Sequence, residues 1–435
     1  MSASAFEPSN LEAWLREYYR TIFPFKSYTK WLCYGEKPSE KFALREFAFI
    51  LEGDTHLRYR SFQNEADFEK DLIKMAPHKL DLGAIYSHPP KENKKHSDFK
   101  PVEREFVLDI DLTDYGNVRT CCTKATVCAK CWKFIALAVN ILDKILEEDF
   151  GFVARMWVFS GRRGVHCWIG DVQARQLNNS QRQAVAEYLS LFSGDKMNVN
   201  FGGKKVRSQI LHPMVNFAYK CALQSELFQS LLFEQQWLSD SRLDFLLQQI
   251  EDEEVVGQIT KSFKLKDSER WDYLLKKFDE ETRVAHNAKT GASIDPPPAT
   301  CENFLKWFVL YHCYPRLDVN VSTGMNHLLK SPFCVHPATG NIAVPLNPKK
   351  IHEFDVTQAP RVDQLLKQLR ENGQNSAENR RILGYNHTSL KDYVHNFNMF
   401  IMKALANAEE ERAKQKDLDI KPPEIDSPLR SRTVN

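Results

Sequence analysis

A chain of 435 residues with 43% hydrophobic and 27% charged side chains has enough apolar material for a sizeable core and too much to stay disordered. Its formal charge of +2 excludes a chain-wide attraction to nucleic acid, so any grip on phosphate has to come from a local cluster or a partner chain. No apolar run approaches the roughly 20 residues of a membrane helix, and the opening MSASAFEPSNLEAW lacks the basic-then-apolar order of a secretory leader. The expectation is a soluble, intracellular protein with no membrane partner.

Apolar residues recur at helical spacing over 10–23, after which REFAFIL and HLRYRSF read as two strands about the turn EGDT. Residues 86–102, YSHPPKENKKHSDFKPV, read as an exposed loop with solvated lysines. EFVLDIDL is a strong strand. A knot of cysteines follows it, then a helix over WKFIALAVNILDKILEEDF ending at Gly151. The strands RMWVFS and VHCWIG flank the turn SGRRG, a hairpin with two arginines at its tip. Ser180 and Gln183 have the spacing of a capping box for the next helix, with Gly194 as its stop.

Helical periodicity then dominates as far as the linker NAKTGASIDPPPAT. A helix over CENFLKWFVLYH, a strand PRLDVNVS and a hairpin from SPFCVH through PATG to NIAVPL restore the mixed pattern. A last helix over TSLKDYVHNFNMFIMKALANAEEERAK precedes a charged, Pro-containing tail expected to be disordered. The fold class is α/β (mixed α+β), divided into a first part of an α/β domain (1–194), an inserted helical subdomain (195–298), the rest of the α/β domain (299–408) and a tail (409–435). There is no internal repeat.

Alternation along EFVLDIDL sets Leu108, Ile110 and Leu112 on one face and Asp109 and Asp111 together on the other. Adjacent carboxylates repel unless a cation neutralises them, which suggests a hard divalent ion such as Mg²⁺ or Mn²⁺. Short Asp-x-Asp matches are common, and an exposed strand face accounts for this one slightly better while it stands alone. PRLDVNVS alternates in the same way and offers Asp318, giving three strand-borne carboxylates, a set that suits two-metal nucleotidyl transfer.

The turn SGRRGVH supplies Ser160, Arg162, Arg163 and His166, the hydroxyl, guanidiniums and imidazole that a triphosphate requires, and Lys330 and His336 add further cations. A lone arginine pair at a hairpin tip is more often solvated, but not beside acidic strands. Cys121, Cys122, Cys128 and Cys131 make a four-thiolate set of zinc type with no open position, hence a structural site.

The segments YGEKPSEKFALREFAFIL, KLDLGAIYSH, FVLDIDLTDY, CCTKATVCAKCW, SGRRGVHCW and PRLDVNVSTGMNHLLKSPFCVHP resemble the small catalytic subunit of eukaryotic primase, over residues 10 to about 346. The resemblance implies a primase catalytic fold with a central mixed sheet flanked by helices, a zinc motif and the inserted helices. It implies an enzyme that joins ribonucleoside triphosphates into short RNA primers on single-stranded DNA. Asp109, Asp111 and Asp318 would hold two catalytic Mg²⁺ or Mn²⁺ ions, with Glu46 as a supporting acid, and the cysteines structural Zn²⁺. Ser160, Arg162, Arg163, His166, Lys330 and His336 would hold the triphosphate, and Arg58 and Asp81 would line the pocket, Asp81 near the ribose.

Implied partners are a large primase subunit carrying an iron-sulfur cluster and, through it, the catalytic and accessory subunits of DNA polymerase alpha; the implied location is the nucleus. Thr323 and Asn341 stand where relatives often carry Lys and Arg, which removes positive charge near the triphosphate strands. Two other classes compete: a glycosyltransferase, which needs neither the third aspartate nor a zinc knuckle, and a non-catalytic zinc adaptor, whose carboxylates would repel its ligand. Ser427 before Pro428 matches a proline-directed phosphorylation dipeptide, a pattern frequent by chance in such tails.

Overall fold

A computed structural model describes residues 6–193, 196–197, 211–248, 250, 253–290, 299–372 and 384–420. Gly194, the start of the expected insertion, residues 291–298 of the linker, Ser427 and the tail beyond 420 lie outside the described residues.

The α1 (Leu11–Thr21) and α2 (Phe25–Cys33) helices precede β1 (Arg45–Ile50), β2 (His56–Arg60), α3 (Glu65–Met75), β3 (Lys79–Tyr86) and β4 (Pro101–Glu103). The β5 (Phe106–Asp111), α4 (Ala129–Glu148), β6 (Arg155–Phe159) and β7 (Gly164–Ile169) elements follow. The expected mixed α/β class holds, but in place of one mixed sheet the described residues form two larger antiparallel sheets and a two-stranded ribbon, Phe192–Ser193 with Lys196–Met197. In the first, the short strand Leu329–Lys330 and β4 pair with one edge of β3, and β1 and β2 lie on its other side. In the second, the order is Pro345–Leu346, β6, β7, β5.

A buried ion pair fastens one sheet to the other. Arg45 of β1 donates to Glu105, just before β5, at 2.7 and 2.8 Å, and both side chains are wholly excluded from water. Tyr34 donates a third bond to Glu105 at 2.6 Å. Against the opposing effect of burial, Arg45 and these hydrogen bonds hold the Glu105 carboxyl down at about 2. Aromatic packing covers the second sheet on both faces. Trp31 of α2 meets Trp168 of β7 edge-on at 5.7 Å, and Trp132 of α4 meets Phe159 of β6 at the same distance.

Six helices between Pro213 and Thr290 form the helical stretch expected from periodicity, and two of them, Pro213–Leu223 and Glu226–Glu234, pack on α4. The helix expected after the linker is Ala299–Cys313. Four local expectations differ. The segment expected as strand PRLDVNVS forms instead a short helix, Val319–Thr323, because the Asp318 side chain accepts the Asn320 amide at 3.1 Å and caps it. The capping box lies two residues earlier than expected, with Asn178 and Gln181, which accept each other's backbone amides. The second hairpin is reduced to one bridge, Val335 with Ile342, because its arms leave to pair with β3 and β6. The last helix, Lys391–Ile420, runs six residues past its expected end at Lys414, since QKDLDI contains no Gly or Pro to stop it.

Gly164 lies opposite Asp111 where β5 and β7 approach most closely, and a Cβ there would stand 2.2 Å from the Ile110 carbonyl oxygen. Gly164→Ala is therefore expected to cost on the order of 2 kcal/mol by urea unfolding. Gly116→Ala, whose Cβ meets nothing nearer than 3.5 Å, should be close to neutral.

Candidate active site and cysteine cluster

Alternation along β5 works as expected: Leu108 and Ile110 are fully buried, and Asp109 and Asp111 face the opposite way, half-buried. Register with β7 sets Asp109 beside His166, whose Nε2 lies 3.7 Å from Asp109 Oδ1. Asp318 reaches the same place from a helix cap instead of a strand, its backbone amide donating to the Asp109 carbonyl at 3.1 Å along the outer edge of β5. Burial, followed by the charges of Asp111 and Asp318, pushes the Asp109 carboxyl up to about 7.

Asp114, which the sequence analysis passed over, belongs to this group: burial and the charges of Asp111, Asp109 and Asp318 push it up to about 6. His327 also faces Asp318 and Asp109. The three aspartates do not close on a single point. Among the described residues, potential metal-ligand groups with every donor atom within 4.8 Å of the others occur only at the four cysteines and at His88, His96 and Asp98.

Positive charge gathers on the neighbouring hairpin tip and on the first sheet. Lys330 pairs in register with Asp81 and donates across to the Ser160 carbonyl at 3.0 Å. Burial lowers Lys330 and raises Asp81. Burial, then Lys330 and other nearby cations, holds the His336 imidazole near 3 and neutral, and burial with Lys330 does the same for His166. The cations around His336 are Lys330, Arg162, Lys79 and Arg163. Lys79, also missed from sequence, shares the β3 face of Asp81 by simple alternation, a signal present in KLDLG.

Gly161 has φ +89°, and a Cβ on it would stand 2.8 Å from that of His336, so glycine is what lets the tip close over the pocket. Asn341 contributes its carbonyl to the His336 amide at 2.8 Å, and Thr323 ends the short helix after Asp318. Arg163 faces both groups and is paired with Asp111, its Nε 2.6 and 2.8 Å from the carboxylate oxygens.

Glu46 is fully buried and fully engaged, accepting from Arg58 at 3.0 and 3.2 Å, from the Tyr59 amide at 3.1 Å and from the Tyr86 hydroxyl at 3.1 Å. In this setting it orients Arg58.

Cys121, Cys122, Cys128 and Cys131 converge as their spacing predicts. Cys128 Sγ lies 3.8 Å from that of Cys121 and 3.9 Å from that of Cys131. A tetrahedral centre with metal–sulfur bonds of about 2.3 Å has edges of about 3.8 Å, so the thiols fit a zinc-sized ion. The knuckle is also the first turn of α4, with Cys128 as its N-cap and Cys131 at the third helical position. Gln235, wholly buried, accepts the Thr120 amide at 2.8 Å and donates to Cys121 Sγ at 3.4 Å.

A desolvated carboxylate cluster facing buried cations is a site for a polyphosphate and the metal ions it carries, the class of nucleotidyl-transfer enzymes. The family model for the DNA primase small subunit matches residues 108–348. The chain is 48% identical to the DNA primase small subunit of Caenorhabditis elegans, covering 89% of this chain and 97% of that one. It is 37% identical to the Drosophila melanogaster protein of that name (84% and 83% covered) and 33% identical to that of Saccharomyces cerevisiae (94% and 96%). The chain belongs to the DNA primase small subunit family.

Two outcomes are expected of this site. A carboxyl raised in the folded state favours folding while protonated, and that benefit is lost as pH rises through about 7. Metal-free protein should therefore lose melting temperature between about pH 4 and 7 and level off above that, and Asp109→Asn should flatten this slope and add on the order of 1 kcal/mol at the upper end. Gln235→Ala should weaken metal retention by the cysteines about 10- to 100-fold in a chelator competition.

Proposed function

We propose that this chain is the catalytic subunit of a primase, synthesising short RNA primers on single-stranded DNA from ribonucleoside triphosphates. The observation that carries this reading is the facing of Asp109, Asp111 and Asp318 against Arg162, Arg163, His166, Lys330 and His336 within one family-matched segment. Asp109, Asp111 and Asp318 would hold two Mg²⁺ or Mn²⁺ ions, which when bound assist attack of a 3′-hydroxyl on the α-phosphate and stabilise departing pyrophosphate.

The protein's own share is electrostatic. Arg163 neutralises Asp111 in the absence of substrate, and a triphosphate offers its guanidinium a second anion. An exchange of partners, carboxylate released to the metals and guanidinium to the phosphates, couples the arrival of the two ligands. Lys330 meets the triphosphate as a charge already stripped of water, with Arg162 beside it at the hairpin tip, and the neutral imidazoles of His166 and His336 donate without a desolvation cost for an imidazolium. Ser160 fixes the tip, its hydroxyl accepting the Gly164 amide at 3.2 Å. Asp81 lies at the ribose end of this cradle, and Glu46 acts by holding Arg58.

The cysteines are assigned to structural Zn²⁺. A large primase subunit is the expected partner, and through it the polymerase alpha subunits, in the nucleus. Shared template grip suits a chain whose own charge is only +2. Thr323 and Asn341 are expected to leave substrate or template held more weakly than Lys and Arg would.

The test is primer synthesis on a single-stranded homopolymer with the complementary labelled ribonucleotide and Mg²⁺ or Mn²⁺. Asp111→Ala and Asp318→Ala should each reduce incorporation at least about 10³-fold while circular dichroism shows the variant still folded. Near-normal synthesis by either folded variant would end the proposal. Nucleotide binding with no incorporation by the wild type would favour the adaptor.

A further inference from the structure

The stretch 87–100 is more ordered than a solvated loop. Its ends are pinned to one another: the Ser87 amide donates to the Lys100 carbonyl at 2.9 Å, and Tyr86 stacks on Phe99 with centroids 4.4 Å apart and planes 3° from parallel. Within this closed strap, residues eight and ten apart are brought together. The His88 and His96 rings lie 3.8 Å apart at 5°, and His88 Nε2 is 3.0 and 3.1 Å from the two oxygens of Asp98. One donor atom from each of His88, His96 and Asp98 lies within 4.8 Å of the others, and Glu92 Oε2 is 3.7 Å from His96 Nε2.

We propose that His88, His96 and Asp98 form a second, surface metal site for a borderline divalent ion such as Zn²⁺, Co²⁺ or Ni²⁺, with Glu92 or water completing it. Two imidazoles and a carboxylate are the donor set such ions prefer, while Mg²⁺ prefers oxygen alone. Ligand atoms about a tetrahedral ion with bonds of about 2.05 Å stand about 3.3 Å apart, near the His88–Asp98 spacing. The stacked rings need to splay for both lone pairs to meet one ion. Both side chains are partly exposed, at 29% and 33%.

Such an ion would rigidify the strap, which with β2 encloses a cavity of about 560 Å³ lined by Arg58, Tyr59, Lys91 and Lys94, among others. Arg58 is the residue that Glu46 holds. The proposal stands apart from the assignment of the catalytic aspartates.

The experiment is metal counting by mass spectrometry after equilibration of the full chain with Zn²⁺ or Co²⁺, for wild type, His88→Ala/His96→Ala and Asp111→Asn. The wild type should bind one equivalent more than the histidine variant, and Asp111→Asn should keep that equivalent. The extra Co²⁺ should show ligand-field bands without thiolate charge transfer, and added metal should slow tryptic cleavage after Lys94 and Lys95 in wild type and Asp111→Asn but not in the histidine variant. Equal stoichiometry in wild type and the histidine variant, or an extra equivalent lost only with Asp111, would overturn it. In that case the cluster is a hydrogen-bonded pair and nothing more.

Discussion

Opposite charges withdrawn from water, yet kept from neutralising each other completely, are the constraint on which this molecule is built. Burial raises Asp109 and lowers Lys330, so the site resists the charged form of each, and each charge acts on the other without an ion pair forming between them. Left to a flexible chain, the aspartates and the arginines would collapse into salt bridges. The one that does form, Arg163 with Asp111, shows the direction of that pull. The remaining separation is stored electrostatic work, available to whatever ligand brings cations to one side and phosphates to the other.

What prevents collapse is the placement of the charges on different backbones. Asp109 and Asp111 extend from β5, the arginines from the β6–β7 tip, Lys330 from a strand of the other sheet. The sheets keep their relation through Arg45 and Glu105, a pair so enclosed that removal of either partner would strand a charge without water. Close approach inside the second sheet depends on the missing side chain of Gly164, and closure of the tip over His336 on that of Gly161. Each part of the frame thus restricts a motion that would let the charges meet.

Legibility in the sequence followed the range of the interactions. Asp109, Asp111, the arginine tip and the cysteine knuckle were readable because strand alternation, a tight turn and a Cys-x-x-Cys spacing are local. Asp318 lies beside Asp109 as expected, but on a helix cap where a strand was expected. Val-Asn-Val alternates like a strand, but the Asp318 carboxylate captures the Asn320 amide, a side-chain competition that apolar periodicity does not register. Asp114 and His327 reach the site only through tertiary pairing, whereas Lys79 was legible in the alternation of KLDLG and was overlooked. The division into two sheets was likewise invisible, since it rests on Leu329–Lys330 pairing with β3, some 250 residues away in the chain. The order in 87–100 hid behind a composition that reads as solvated loop.

The cysteine cluster is remote from the carboxylates in chemistry but not in mechanics. Cys128 and Cys131 define the first turn of α4, and the next residue, Trp132, packs edge-on against Phe159. Phe159 is the last residue of β6, and Ser160, whose carbonyl receives Lys330, comes directly after it. A metal that fixes the start of α4 therefore fixes the base from which the arginine tip projects, through one aromatic contact and one peptide bond. Four thiolates closing round an ion with no open position would suit that task, because the contribution would be rigidity at the first turn of α4.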